Sequence, residues 1–477
     1  VWLLMSALLL IVSGCSGSET ASETGSSIEP VDPRGSQPAP PDEAPDQTTP
    51  AVPAPDDDPD DVLPGVPTGV EALEDLSGRL AITNRTSLLL IDPTGANGEF
   101  IDEVTDGLIA QPTWSPDGAE IAWSRFDPGS ASSPGSVERM TLPDDVSGIE
   151  GGERSSTATG ETAAVYLQWS DDASRLGLLR NGDDGIELQR IRGEEAPELQ
   201  AVGSPLYFAW SPDNEALAWH SGTNLQVRRG GSLDTLATTE GTFSAPDWLT
   251  DDEVMAVRGS KLVLVDPDNG FVTEVAEVQL PTRFVLHPDR ARVAFLGPGT
   301  DVLTIRYQAP DDEPGDAEPK EPEEPGSEEP ESRRDPVLQV LDLQSENLAL
   351  VTAEPVLAWE WSPDAQRLAF LAKSDFDEEK VRWFFWQDGR VVGATSEFWL
   401  TPTERSVYLP FFAQYTQSHT RWSPDGTGFA FAGIVDDAQG IYVHVIDETP
   451  QSILVAEGDF VTWSPETVSN GSGISPL

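Results

Sequence analysis

Apolar residues in this chain come in short bursts separated by turn formers. Between residues 426 and 465 the bursts fall at 429–435, 441–446, 452–455 and 460–463, and Asp436, Gly440, Asp447 and Pro450 lie in the breaks. Bursts this short, rich in β-branched and aromatic residues and bounded by Gly, Pro and Asp, predict four β-strands. No helical period runs long enough to compete.

The unit repeats. Nearly complete copies of its terminal motif are Trp114-Ser115-Pro116-Asp117-Gly118, Trp210-Ser211-Pro212-Asp213, Trp361-Ser362-Pro363-Asp364 and Trp422-Ser423-Pro424-Asp425-Gly426. Partial copies are Trp169-Ser170-Asp171-Asp172, Trp248-Leu249-Thr250-Asp251, Leu286-His287-Pro288-Asp289 and Trp463-Ser464-Pro465-Glu466. Proline presets the second turn position and Asp suits the third. Gly118 and Gly426 accept the positive φ that closes such a hairpin. The indole is large and apolar with one N–H donor, which suits the space between two sheets. The marks Trp114, Trp169, Trp210, Trp248, Leu286, Trp361, Trp422 and Trp463 therefore read as structural. A four-stranded unit repeated at about 40 residues is a β-propeller blade, so the expected fold is all-β. Eight marks give eight blades, or seven if Leu286 does not mark its own.

Three strand-like bursts, 80–83, 88–91 and 99–101, precede the first mark, and only a short tail, 467–477, follows the last. The last inner strand, 459–465, is expected to pair with the N-terminal strands and complete one blade, which removes the open sheet edge. The propeller then spans 79–466. Two inserts interrupt it. Residues 127–162 are Ser/Gly-rich with poor strand pattern. Residues 309–336 are almost all Pro, Glu, Asp and Gly, and are expected to form a disordered loop between strands at 302–307 and 337–343. The aromatic run from Tyr408 to Tyr415 reads as a packed insert, with an exposed binding surface as the alternative.

The Trp-Ser-Pro-Asp-Gly turn followed by Glu120-Ile121-Ala122-Trp123, or by Leu368-Ala369-Phe370 after the Trp361 copy, resembles the TolB-type propeller repeat. The resemblance covers residues 79–465 and implies the fold. Propellers of this kind serve as envelope interaction proteins and as accessory domains of serine peptidases, so it implies no single activity.

The N-terminus carries a different signal. Residues 1–12 are apolar except for Ser6, and Val12-Ser13-Gly14-Cys15 follows. This resembles a bacterial lipoprotein signal peptide, 1–15, whose Cys15 is lipidated; a plain secretory signal is the alternative, and no Lys or Arg opens the stretch. Cys15 is the only cysteine, so no internal disulfide forms. Residues 16–78 are rich in Pro, Ser, Thr, Asp and Glu and read as a disordered tether. The expected location is the extracytoplasmic side of a bacterial cell membrane, anchored by lipid.

Net charge is −55, of which roughly −32 falls outside the tether and the acidic insert. Such a field disfavours nucleic acid and anionic lipid surfaces as direct partners. No Gly-x-Ser-x-Gly elbow, paired metal ligands or phosphate-binding glycine loop is present. His220, His287, His419 and His444 are scattered over different blades and read as structural. Asp266-Pro267-Asp268-Asn269-Gly270 reads as a turn, because a calcium loop needs a distal Glu. No catalytic residue, cofactor or metal is assigned. The expected function is a monomeric, non-enzymatic scaffold that binds an envelope protein or peptide. A hydrolase or lyase with carboxylates at the propeller channel is one alternative. A carbohydrate or cell-wall module using Trp383, Phe384, Phe385 and Trp386 is the other.

Overall fold

The computed structural model describes residues 71–465 apart from 131–132, 144–151, 231, 239–243, 281–282, 300–334, 375, 378 and 447–450. Cys15, residues 16–70 of the tether and the C-terminal tail lie outside the described residues. The last stretch of the expected tether, 71–78, is instead packed on the propeller: Glu71–Leu73 forms a helical turn, Leu73 is buried and Leu76 packs beside it. Eight antiparallel sheets form an eight-bladed β-propeller. In seven of the blades the strand carrying the mark is innermost. In blade 4, for example, Leu206–Trp210 pairs with Ala216–Ser221, which pairs with Asn224–Arg229, which pairs with Ser232–Thr238.

Ring closure follows the expectation. Phe460–Trp463 pairs antiparallel with Leu80–Thr83, in register Leu80↔Trp463 to Thr83↔Phe460. Ser87–Ile91 and Glu99–Glu103 complete blade 1. Leu286 does mark its own blade, since Phe284–Leu286 is the inner strand of a separate four-stranded sheet.

One sequence expectation about the inserts is corrected, and the other is not reached by the described residues. Residues 127–162 contain Gly135–Thr141 and Arg154–Gly160, the third and fourth strands of blade 2. Their Ser/Thr content hid them, because only Val137 and Met140 supply buried apolar side chains; the strand pairing of the blade overrides weak local propensity. In blade 6 the partner of Pro336–Asp342 is Arg292–Pro298. The strand expected at 302–307, and the loop at 309–334, lie outside the described residues.

The turn motif is a small hydrogen-bonded device copied five times. In blade 2 the Ser115 hydroxyl donates to Asp117 Oδ1 at 2.6 Å and accepts from the Glu120 backbone N–H at 2.8 Å. Asp117 Oδ1 also accepts from the Ala119 N–H. The same pattern recurs at Ser170/Asp172, Ser211/Asp213, Ser362/Asp364 and Ser423/Asp425. The residue after the Asp takes positive φ: Gly118 and Gly426, but also Ala173 (56°), Asn214 (61°) and Ala365 (62°). A Cβ in that region is strained by about 1 kcal/mol or more. Replacing Ala173 or Ala365 by glycine is expected to raise stability by about 0.5 kcal/mol, the strain relief exceeding the entropy that glycine adds to the unfolded chain. A shift of the urea midpoint to higher concentration, at unchanged slope, measures it.

Candidate functional site: the filled central channel

Between neighbouring blades the marker tryptophans act as pegs. Trp169 Nε1 donates to the Thr113 carbonyl, Trp210 to Gln168, Trp248 to Ala209 and Trp361 to Val285, at 3.2–3.3 Å. Each acceptor is the residue just before the preceding blade's own mark, so one contact is repeated around much of the ring. Trp114 and Trp422 are equally buried, but their N–H groups have no partner. Trp463 donates instead to the Ser77 carbonyl at 2.9 Å.

Blade 8 departs from the repeat. Its sheet has three strands, Gly428–Val435, Ala438–Val445 and Ile453–Ala456, and a single bridge between Trp422 and Phe429 stands for the inner strand. The chain reaches that position by an unusual route. After the outer strand of blade 7, Arg390–Ala394, it forms short helical turns at Glu404–Tyr408, Leu409–Phe411 and Phe412–Tyr415. This segment meets seven blades. Thr403 donates to Asp459, the residue preceding the inner strand of blade 1. Gln111 of blade 2 donates to the Tyr415 hydroxyl at 2.7 Å. Tyr166 of blade 3 donates to the Gln414 carbonyl at 2.8 Å. Gln417 reaches the Pro246 carbonyl beside the inner strand of blade 5. The Phe412 ring packs edge-on against Trp359 of blade 7 at 4.6 Å, and Glu404 pairs with Arg421 of blade 8 at 2.6 Å. Only the propeller axis touches so many inner strands at once, so residues 401–419 fill the central channel.

Gln414 shows how the plug is held. Its Oε1 accepts from the Phe208 backbone N–H at 3.0 Å, and its Nε2 donates to the Phe208 carbonyl at 2.8 Å. The side-chain amide thus pairs with the free edge of blade 4's inner strand as a neighbouring strand's peptide group would. Phe208 and Gln414 are both buried, so these backbone groups have no access to bulk water.

A charged cluster sits where the plug becomes blade 8. Arg421 is 1% exposed; its guanidinium pairs with Glu404 and lies 3.6 Å above the Tyr408 ring. Glu360, on the inner strand of blade 7, accepts from the Arg421 backbone N–H at 3.0 Å and from the Thr420 hydroxyl at 3.2 Å. Two buried carboxylates therefore face one buried guanidinium. Burial pushes the Glu360 carboxyl up to about 7, against the pull of Arg421. Burial also raises Glu404, while its contact with Arg421 opposes the rise. Glu404 makes the direct ion pair with Arg421, while Glu360, pushed up to about 7, holds its proton up to about neutral pH. The Tyr408 hydroxyl and Glu360 Oε2 lie close enough to interact, yet neither completes a hydrogen bond of normal geometry.

The four histidines are all buried, and burial lowers the pKa of each, to about 3 for His419 and about 4 for His444. His419 belongs to the plug, against Tyr166, Tyr415 and Phe460. His287, in the Ser position of the turn motif, reaches the Ala365 carbonyl through Nε2 at 3.0 Å. His220 lies against the Ser244 carbonyl, in the connection to blade 5, and His444 of blade 8 stacks on Phe385 of blade 7. Asp266 caps the turn before Gly270 by accepting from Asp268 and Asn269. Among the described residues no group of three metal-ligating side chains occurs. Trp383, Phe385 and Trp386 are buried and only Phe384 is partly open, so this run presents no aromatic platform.

The polar plug residues Glu404, Gln414 and Gln417, with Glu360, Arg421 and Tyr166 around them, were not singled out from sequence. The available signals were the aromatic run 408–415 and the long gap between Trp361 and Trp422.

Two outcomes are expected. Gln414→Leu leaves the Phe208 N–H and carbonyl unpaired and should cost about 3 kcal/mol in urea unfolding. Glu360→Gln tests the protonation assignment. A raised carboxyl pKa gives stability that is complete below the unfolded value of 4.5 and is lost as pH rises through about 7. Unfolding midpoints should therefore match near pH 5, while at pH 8 the variant should be more stable by up to roughly 3 kcal/mol. The depressed histidines act in both proteins and cancel in the difference.

No family model and no curated protein matches this chain. Similar solved structures include TolB from Acinetobacter baumannii, at 15% identity and TM-score 0.36 over 66% of this chain and 63% of that one. A putative TolB from Agrobacterium tumefaciens matches at 13% identity and TM-score 0.34, over 78% of this chain and 99% of that one. A structure described as one of two prolyl endopeptidases matches at 11% identity and TM-score 0.45, over 85% of this chain and 53% of that one. The chain thus spans less than two thirds of the length of the first TolB and of the endopeptidase. These likenesses concern fold alone: the chain is an eight-bladed β-propeller with TolB proteins among its structural neighbours.

Proposed function

We propose that this protein is a lipid-anchored, extracytoplasmic β-propeller scaffold that binds a protein or peptide of the cell envelope. One observation carries the binding role: the protein's own residues 401–419 fill the channel in which a propeller would otherwise hold a ligand. Recognition then falls to the outer faces and strand edges, the surfaces suited to macromolecular partners. The channel carboxylates Glu360 and Glu404 are occupied with Arg421, Thr420 and each other's charge balance, which weighs against a hydrolase or lyase built on them. The lipobox-like Val12-Ser13-Gly14-Cys15 and the long acidic tether support the anchored location.

Crosslinking in intact envelopes followed by affinity capture should recover a stoichiometric protein partner. Turnover of a peptide or glycan library by the purified chain, with no such partner, would replace the scaffold by an enzyme. In parallel, Cys15→Ser should abolish incorporation of a labelled fatty acid and release the protein from the membrane fraction. Retention at the membrane without label would remove the anchor.

A further inference from the structure

The chain is strongly acidic, yet one cleft between blades 3 and 4 gathers arginines. A cavity of about 250 Å³ is lined by Arg175, Arg190, Arg192 and Arg228, with Trp210 and Leu217 as its apolar wall. It opens on the side of the ring that carries the Ser-x-Asp turns: Arg175 follows the turn of blade 3, and Glu215 and Ala216 follow that of blade 4.

The sheet register shows that the cluster is costly. Arg175 and Arg192 are directly opposed on neighbouring strands, Arg175–Gly182 and Gly185–Arg192. Arg190 lies two residues from Arg192 and so shares its face. Arg228 enters from the next blade. Like charges directly opposed across a ladder are destabilising. The two carboxylates that form ion pairs with the cluster are poor compensation, because both lie at the exposed rim: Glu215, 3.5 Å from Arg175 and 67% exposed, and Glu198, paired with Arg190 and 63% exposed. The Arg175 side chain is only 14% exposed, and its Nε and Nη1 are buried without an acceptor. Arg228 donates through one nitrogen to the Gln200 carbonyl at 3.1 Å, while its Nε is buried without an acceptor. Buried guanidinium N–H groups left unpaired are expensive, and an oxyanion is the partner their fork geometry matches.

We propose that this inter-blade cleft is a binding site for a small organic oxyanion bearing phosphate or carboxylate groups. The ligand is small because the cavity lies just below the roughly 300–1,000 Å³ of pockets that hold drug-sized molecules. It carries more than one negative charge, because four guanidinium groups line the cavity against a single lining carboxylate, Glu215. Trp210 and Leu217 offer its carbon skeleton an apolar wall. The site is independent of the channel and of the envelope partner proposed above.

The test is calorimetric titration of the full chain with pyrophosphate and with citrate, at constant ionic strength set by potassium chloride. Saturable one-to-one binding of either probe is expected; the probe that binds tells phosphate from carboxylate. Affinity should fall about ten-fold in Arg192→Gln, whose side chain is exposed so that folding is spared, and further in Arg192→Gln with Arg228→Gln. Arg258→Gln, at an exposed arginine in blade 5, should leave it unchanged. Absence of saturable binding, or equal loss in the Arg258 variant, would overturn the site. So would a poly-glutamate peptide that binds where citrate and pyrophosphate do not, since the cleft would then serve an acidic polypeptide.

Discussion

The ring depends on one repeated contact: a buried indole that fills the wedge between two blades and donates its N–H to the inner strand of the blade before. Removing an indole-sized apolar surface from water is worth roughly 4–6 kcal/mol as an upper bound. The hydrogen bond adds direction. A hydrophobic wedge alone would tolerate sliding between the sheets, whereas the pegs at Thr113, Gln168, Ala209 and Val285 fix each blade's height relative to its predecessor. Leu286, which has no N–H to donate, fills the same place by packing alone. The peg is lost or redirected at Trp422, Trp463 and Trp114, where the ring closes and the plug leaves the axis.

The plug and the pegs solve the same problem in different places. An inner strand has a free edge facing the axis, and its N–H and carbonyl groups need partners. Open channels leave that task to water. Here Gln414 and Gln417 supply it for Phe208 and Pro246. Aromatic side chains fill the remaining space, with Tyr166, Phe208, Trp359 and Phe460 meeting Tyr408, Phe412 and Tyr415. The price is the Arg421 cluster, where a buried guanidinium needs a buried carboxylate. Such pairs add little net stability but are damaging to break.

Sequence patterning made the architecture legible to a useful depth. The Trp-Ser-Pro-Asp spacing gave the blade count, and the orphan strands before Trp114 gave the closure, because both rest on local chemistry repeated many times. Gly135–Thr141 and Arg154–Gly160 were illegible, since strands with few apolar side chains are held by the ladder rather than by burial. The plug was visible only as an aromatic run out of place. Its helical turns are too short to carry a period, and its partners lie up to 305 residues away in sequence. The arginine cleft was hidden for a related reason: Arg175, Arg192 and Arg228 meet only once strand register and blade adjacency are known.

The closure strand has a consequence for biosynthesis. The strand that completes the first blade, Phe460–Trp463, leaves the ribosome after every other strand described here. Until then Leu80–Thr83 offers a bare edge, and the ring cannot shut. Residues 401–419 emerge before both blade 8 and that final strand. They can therefore settle onto the axis while the ring still has a gap, and the last blade then seals them in. Order of emergence, rather than threading through a finished hole, gives the plug its way inside.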